Sequence, residues 1–146
     1  VWEKNQKLTL ELPAERTEMF ADKVRLSQVL SNLVTNAAKY SGENSEISIA
    51  VTSTNEDVIM RVTDRGIGIA RADISHIFGA FFRADNEATR MQSGTGVGLY
   101  FCDMIVGFHR GSITVESEVG QGTTMTVRLP REYVAEGVDD KEPVAA

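Results

Sequence analysis

The chain has 146 residues, 42% of them hydrophobic and 25% charged, which fits one domain with a real core and excludes a disordered, collagen-like or proline-rich chain. Its net charge is −6 and its pI near 4.9, which disfavours a general phosphate-backbone binder needing a basic face. Half of that charge, −3, belongs to residues 131–146, so the body is only mildly acidic and a metal-bound polyphosphate ligand stays open.

The single Cys102 forbids an internal disulfide and points to a reducing compartment. No apolar run reaches the ~20 residues that span a bilayer. A start at Val1, without Met, is expected of a fragment whose parent carries any sensing or anchoring part elsewhere.

In chain order, Lys7 to Leu12 alternates apolar and polar residues and reads as a strand ended by Pro13. Asp22 is placed to cap a helix running to Tyr40, with Leu26, Val29, Leu30, Leu33, Ala37 and Tyr40 at helical spacing. Two strands follow, near residues 46–53 and 57–63, each apolar on one face only. Residues 71–78 read as a short helix, and 79–94 as a mobile loop without clear period. A second substantial helix is expected from Thr95 to Phe108, with Cys102 and Met104 in its core. Residues 111–118 and 122–129 then read as a hairpin turned through Val119, Gly120 and Gln121. From Pro130 onward the acidic, Ala-rich tail reads as disordered. Strands paired mainly antiparallel, with helices on one face, make an α+β two-layer sandwich.

Four constellations carry chemistry. On the long helix, Gln28, Asn32, Asn36 and Lys39 follow one another by four, four and three residues and so share a narrow stripe. At ~100° per residue the stripe lies roughly 110° from the apolar face, along the border of the core. A carboxamide there can offer oxygen to a hard cation and Lys39 can neutralise a phosphate, although a solvated polar face would look alike. Next, Asp64 closes a strand and is followed by Gly66 and Gly68, which allow close backbone approach to a ligand. An ionised Asp64 only accepts hydrogen bonds and suits an exocyclic amine such as that of adenine, yet Asp-Gly turns are common. Third, Gly94, Gly96 and Gly98 alternate just before an apolar helix and could expose backbone N–H groups to an anion. Their spacing is neither a dinucleotide fingerprint nor a P-loop, and a flexible linker remains the bland alternative. Last, Gly120-Gln-Gly-Thr-Thr124 alone is an ordinary hairpin turn.

Together and in this order, the four resemble the GHKL ATP-binding family, and within it the catalytic domain of sensor histidine kinases. Residues 31–40 look like its N box, 64–68 like G1, 77–83 like the F box, 94–99 like G2 and 120–124 like the last glycine motif. The resemblance covers roughly Leu8 to Pro130 and implies the Bergerat fold with an ATP lid. It makes residues 1–7 the remnant of a linker from a missing dimerisation domain, 8–130 the ATP-binding domain and 131–146 a tail.

The resemblance also implies roles. Asn36 would bind the Mg²⁺ bridging the ATP phosphates, supported by Asn32. Lys39 would touch phosphate, and Tyr40 would pack near the nucleotide. Asp64 would read the adenine amine, with Thr123 in the adjoining water network. Gly66 and Gly68 would form the near hinge of the lid. The stretch of Gly94, Thr95, Gly96, Val97, Gly98 and Leu99 would form the far hinge and lend amides to the phosphates. Arg83 would contact the γ-phosphate, with Arg90 a second candidate. Hydrolytic members carry a Glu one turn before the Mg²⁺-binding Asn; here that place is Asn32, which favours transfer to an acceptor over hydrolysis. Arg65 stands where Asn is usual, and Gly79 and Ala80 where charges are common.

His76 and His109 read as structural, so the acceptor histidine is expected outside this sequence. The implied function is γ-phosphoryl transfer from Mg-ATP to a histidine on a separate domain of the same protein, with a response regulator receiver domain downstream. Neither nucleic acid nor membrane contact is expected of this chain, and its expected place is the cytoplasm. A degenerate regulatory nucleotide-binding module and an anti-sigma-type serine kinase are the alternatives.

Overall fold

The structure is a computed structural model that describes residues 5–14, 18–79 and 98–131, and the backbone of 143–145. Five strands form one sheet in the order β1 (Lys7–Glu11), β3 (Glu46–Ser53), β4 (Asp57–Asp64), β6 (Gly122–Pro130), β5 (Ser112–Glu118). β1 runs parallel to β3, and every other neighbour is antiparallel. Helices α1 (Lys23–Tyr40) and α3 (Gly98–Phe108) pack against each other, α1 over β3 and β4 and α3 over β5, with the short α2 (Arg71–Ile74) also against β5. This is the expected α+β sandwich.

Register explains its one-sidedness. Ile49, Val62, Met125 and Val115 lie side by side across four strands, as do Val51, Met60, Val127 and Ile113. Those rows meet Val29, Leu33 and Ala37 of α1 and Cys102, Ile105 and Val106 of α3 in one core. Ile47, Val58, Val127 and Leu129 are fully buried, each contributing roughly 1.5–3 kcal/mol of transfer free energy. The opposite face carries Arg61, Thr114, Glu116 and Arg128, all exposed.

α1 starts as its sequence dictates: the Asp22 carboxylate accepts the Arg25 N–H at 3.1 Å. Its other end is closed by a residue outside the helix. Gln6 is buried, and its side-chain N–H₂ donates to the carbonyls of Ala38, Ser41 and Gly42 at 3.1, 3.2 and 3.2 Å. Gln6, expected in a linker, is therefore built into the fold, and Lys7 begins β1 as the alternation predicts.

Other expectations need correcting. Met104 is 44% exposed rather than in the core, because it sits about 200° around α3 from Cys102 and shares an outer stripe with Tyr100 and Phe108. Leu8 and Leu10 stand beside Ile47 and Ile49 but remain 43% and 57% exposed, since their strand is the sheet edge and α1 covers its neighbours. A short strand, β2 (Glu18–Phe20), escaped the pattern, being too brief for alternation to register. It pairs antiparallel with β7 (Pro143–Ala145), so part of the supposedly disordered tail forms a strand. Composition counts the tail's acids but cannot see a neighbouring backbone edge seeking partners.

The helix expected over 71–78 is α2 followed by turns, in which His76 N–H donates to Asp73 O and Gly79 N–H to His76 O. Of the mobile loop expected over 79–94, all but Gly79 lies outside the described residues, as do Thr95, Gly96 and Val97.

Candidate functional site

The candidate site grows from the end of β4. Asp64 lies opposite Thr123 of β6, and its carboxylate accepts the backbone N–H groups of Gly66, at 2.8 Å, and Thr123. Burial is the dominant influence on this carboxyl and raises its pKa above the ordinary 3.8, with those two hydrogen bonds pulling the other way. A partly desolvated acceptor at a strand end is suited to a polar ligand group.

The loop after Asp64 is held on both sides. On one side the Ile67 N–H donates to the Tyr40 carbonyl at 3.1 Å, tying the loop to the last residue of α1. Gly66 lies so close to this junction that a Cβ there would come within 2.2 Å of Tyr40 O. On the other side the Gly120 N–H donates to Ile67 O at 2.8 Å and the Ile69 N–H to Ser117 Oγ at 2.8 Å. Gly68, at φ +74°, presses against the Glu118 carbonyl, where a Cβ would meet oxygen at 2.2 Å. Three segments far apart in sequence thus converge: the end of α1, the Asp64–Ile69 loop and the β5–β6 turn.

Among the sequence-derived candidates, Tyr40, Asp64, Gly66, Gly68 and Thr123 belong to this junction. Asn36 and Lys39 are half-buried on α1, within its last two turns. The Asn32 side chain hydrogen-bonds the Cys102 sulfur of α3. That thiol also donates to Val29 O at 3.7 Å, and burial pushes its pKa up to about 11, so it is inert core. Gly98 opens α3, and Leu99 packs on the core. Arg83, Arg90, Gly94, Thr95, Gly96 and Val97 lie outside the described residues.

Both histidines are accounted for apart from the site. His76 is exposed in the turn after α2. His109 is buried, its Nε2 accepting the Asp22 N–H at 2.9 Å and its Nδ1 lying 2.8 Å from Ile105 O. The imidazole therefore carries its proton on Nδ1 and locks the start of α1 to the end of α3.

Two residues escaped the sequence reading, Ser117 and Gln6. Ser117 alternates with exposed neighbours along β5, and only its strand partner reveals a role. Gln6 precedes the first strand and offers no periodic signal at all.

A sequence model of the family described as "Histidine kinase-, DNA gyrase B-, and HSP90-like ATPase" matches residues 21–133. The chain belongs to that family. Within the family, the solved structures it resembles include histidine kinase catalytic domains. Sensor protein SrrB of Staphylococcus aureus is 41% identical over 110 residues, which are 75% of this chain and 19% of that protein. The chain thus spans about a fifth of the curated relatives it matches. The nucleotide-free catalytic domain of histidine kinase ThkA superposes with a TM-score of 0.77 at 30% identity, covering 90% of this chain and 84% of that one. Full-length ShkA, solved in complex with AMPPNP, gives a TM-score of 0.78 at 27% identity over 92% of this chain and 27% of its own. The chain is accordingly a histidine kinase-type catalytic domain, and the junction built around Asp64 lies within the matched region. No helix among the described residues is long and apolar enough to cross a membrane.

Proposed function

We propose that this domain binds Mg-ATP beside Asp64 and donates the γ-phosphoryl group to a histidine on a separate dimerisation domain of the same protein. The observation that carries the reading is the three-way junction, which gathers the residues of three motifs around one half-buried carboxylate. AMPPNP in the related ShkA structure supports a nucleotide ligand.

In this reading the ionised Asp64 accepts a hydrogen bond from the exocyclic amine of adenine. Tyr40 packs near the nucleotide, and Lys39 offsets phosphate charge from the last turn of α1. The N-terminal end of α3, at Gly98 and Leu99, turns N–H groups toward anionic oxygen. Arg83 supplies a further positive charge to the γ-phosphate.

Among the described residues no group of three His, Cys, Asp or Glu side chains could hold a metal. A single carboxamide oxygen, that of Asn36, nevertheless suits Mg²⁺, which keeps waters and takes phosphate oxygens as its other ligands. Bound there, the ion would draw negative charge from the β- and γ-phosphates. A ring nitrogen of the acceptor histidine then forms a bond to phosphorus as the bond to the bridging oxygen breaks. ADP leaves, and the imidazole releases its proton to solvent. Asn32 occupies the place from which a carboxylate would activate water, and its contact with Cys102 engages it elsewhere. That supports transfer over hydrolysis.

The same reading sets the domain in the cytoplasm, with a response regulator receiver domain taking the phosphoryl group onward. Incubating the full-length parent with γ-labelled ATP tests it: acid-labile, base-stable label on histidine is expected. Acid-stable label on serine, or none while nucleotide binds, overturns it.

A further inference from the structure

Ser117 of β5 stands opposite Thr123 of β6. Its Oγ lies 2.8 Å from the Ile69 N–H, 2.9 Å from the Gly122 carbonyl and 2.8 Å from Thr123 Oγ1. A hydroxyl has one proton and two lone pairs. The Ile69 N–H can only donate and the Gly122 carbonyl can only accept. Ser117 therefore receives from Ile69 and commits its own proton to Gly122. The third contact survives only if the Thr123 hydroxyl donates to Ser117.

This fixes the polarity of Thr123. With its proton directed at Ser117, its remaining hydrogen-bonding capacity is that of an acceptor. Its backbone N–H meanwhile donates to the Asp64 carboxylate on the adjacent strand. The two neighbouring side chains, Asp64 and Thr123, then present only acceptors. A water held between two acceptors donates both its protons and turns lone pairs outward, so a bridging water carries the same polarity onward.

We propose that Ser117 is a positioning residue for base selection: by holding the Thr123 proton it keeps this corner of the site acceptor-only, favouring a 6-aminopurine over a 6-oxopurine. A 6-oxo group would set oxygen against oxygen, leaving buried acceptors unpaired, the kind of mismatch that separates ligands most strongly. The proposal rests on the reading that a purine nucleotide binds beside Asp64. The Ile69 contact lets the same oxygen fasten the loop that follows Gly68, so selection and loop position share one atom.

The test is a calorimetric comparison of Mg-ATP and Mg-GTP binding by the chain and its variants, with thermal unfolding recorded alongside. The parent should prefer ATP. Ser117→Ala, which frees the Thr123 proton to rotate, should cut that preference roughly tenfold. Ser117→Thr, which restores a hydroxyl, should recover it. In a Thr123→Val background, Ser117→Ala should produce no further loss of preference. Equal weakening of both nucleotides, or an unchanged ratio, would make Ser117 merely structural and overturn the proposal. A parent that binds neither nucleotide overturns the underlying reading instead. Should Ser117→Ala fail to fold, Ser117→Cys, a poorer donor and acceptor of similar shape, takes its place: a reduced preference supports the proposal and an unchanged ratio overturns it.

Discussion

The Ile67 backbone N–H donates to the Tyr40 carbonyl at 3.1 Å, fastening the loop that follows Asp64 to the last residue of the long helix. Gly66 makes this possible, because a Cβ at that position would sit 2.2 Å from the same carbonyl oxygen. Gly66→Ala should therefore cost about 1–3 kcal/mol of stability and weaken nucleotide binding further than the stability loss alone explains. Denaturant midpoints and calorimetry on one preparation check both. An alanine variant with parental affinity would show that the junction does not shape the site.

Burial raises the pKa of Asp64 above 3.8, and this couples stability to pH. A carboxyl with a raised folded-state pKa holds its proton more firmly folded than unfolded. Its stabilising contribution is present below the unfolded pKa and is lost as pH climbs through the raised value. In the unliganded domain Asp64→Asn should thus be at least as stable as the parent at neutral pH, with that advantage shrinking as pH falls. Ligand binding should respond in the opposite sense. Nucleotide affinity of the parent should decline on acidification at a higher pH than an aspartate titrating at 3.8 would allow. Thermal unfolding and affinity, each measured across pH, check the pair.

His109 joins the start of α1 to the end of α3 and has no part in the proposed nucleotide site. Replacing it with Leu removes the acceptor of the Asp22 N–H and the ring donor to Ile105 O, which keeps the backbone N–H of residue 109. A loss of about 1–3 kcal/mol is expected, with nucleotide affinity within roughly twofold of the parent. The same variant in the full-length parent should still acquire phosphohistidine. Loss of label there would make His109 part of the chemistry.

Gln6 offers the corresponding test at the other end of α1. Gln6→Leu would remove the side-chain amide from the Ala38 and Ser41 carbonyls in a buried setting, whereas the Gly42 carbonyl keeps Ser45 Oγ at 2.6 Å. A destabilisation of about 1–3 kcal/mol should appear as a lower denaturant midpoint.

Long, strongly periodic elements were legible in the sequence. α1 matched its expected start at Asp22 and end at Tyr40, because apolar spacing, cap and loop all agreed. The β5–β6 hairpin and its turn also followed from alternation and glycine placement. The convergence of Tyr40, Gly66 and the β5–β6 turn was foreseen only through family resemblance, since spacing along a chain cannot say which loops meet. Ser117 and Gln6 were not foreseen. Their significance comes from partners 48 and 32 residues away, at Ile69 and Ala38, and no local pattern encodes such pairings. Met104 was misplaced for a simpler reason: hydrophobic character alone does not say which side of an apolar helix faces inward.

The most direct test of the central claim is a titration of Mg-ATP into the parent chain and into Asp64→Asn. One saturable site is predicted in the parent, weakened at least about tenfold in the variant, the scale of a lost hydrogen bond to a charged group. Absence of binding by the parent, or equal affinity in both proteins, would contradict the account.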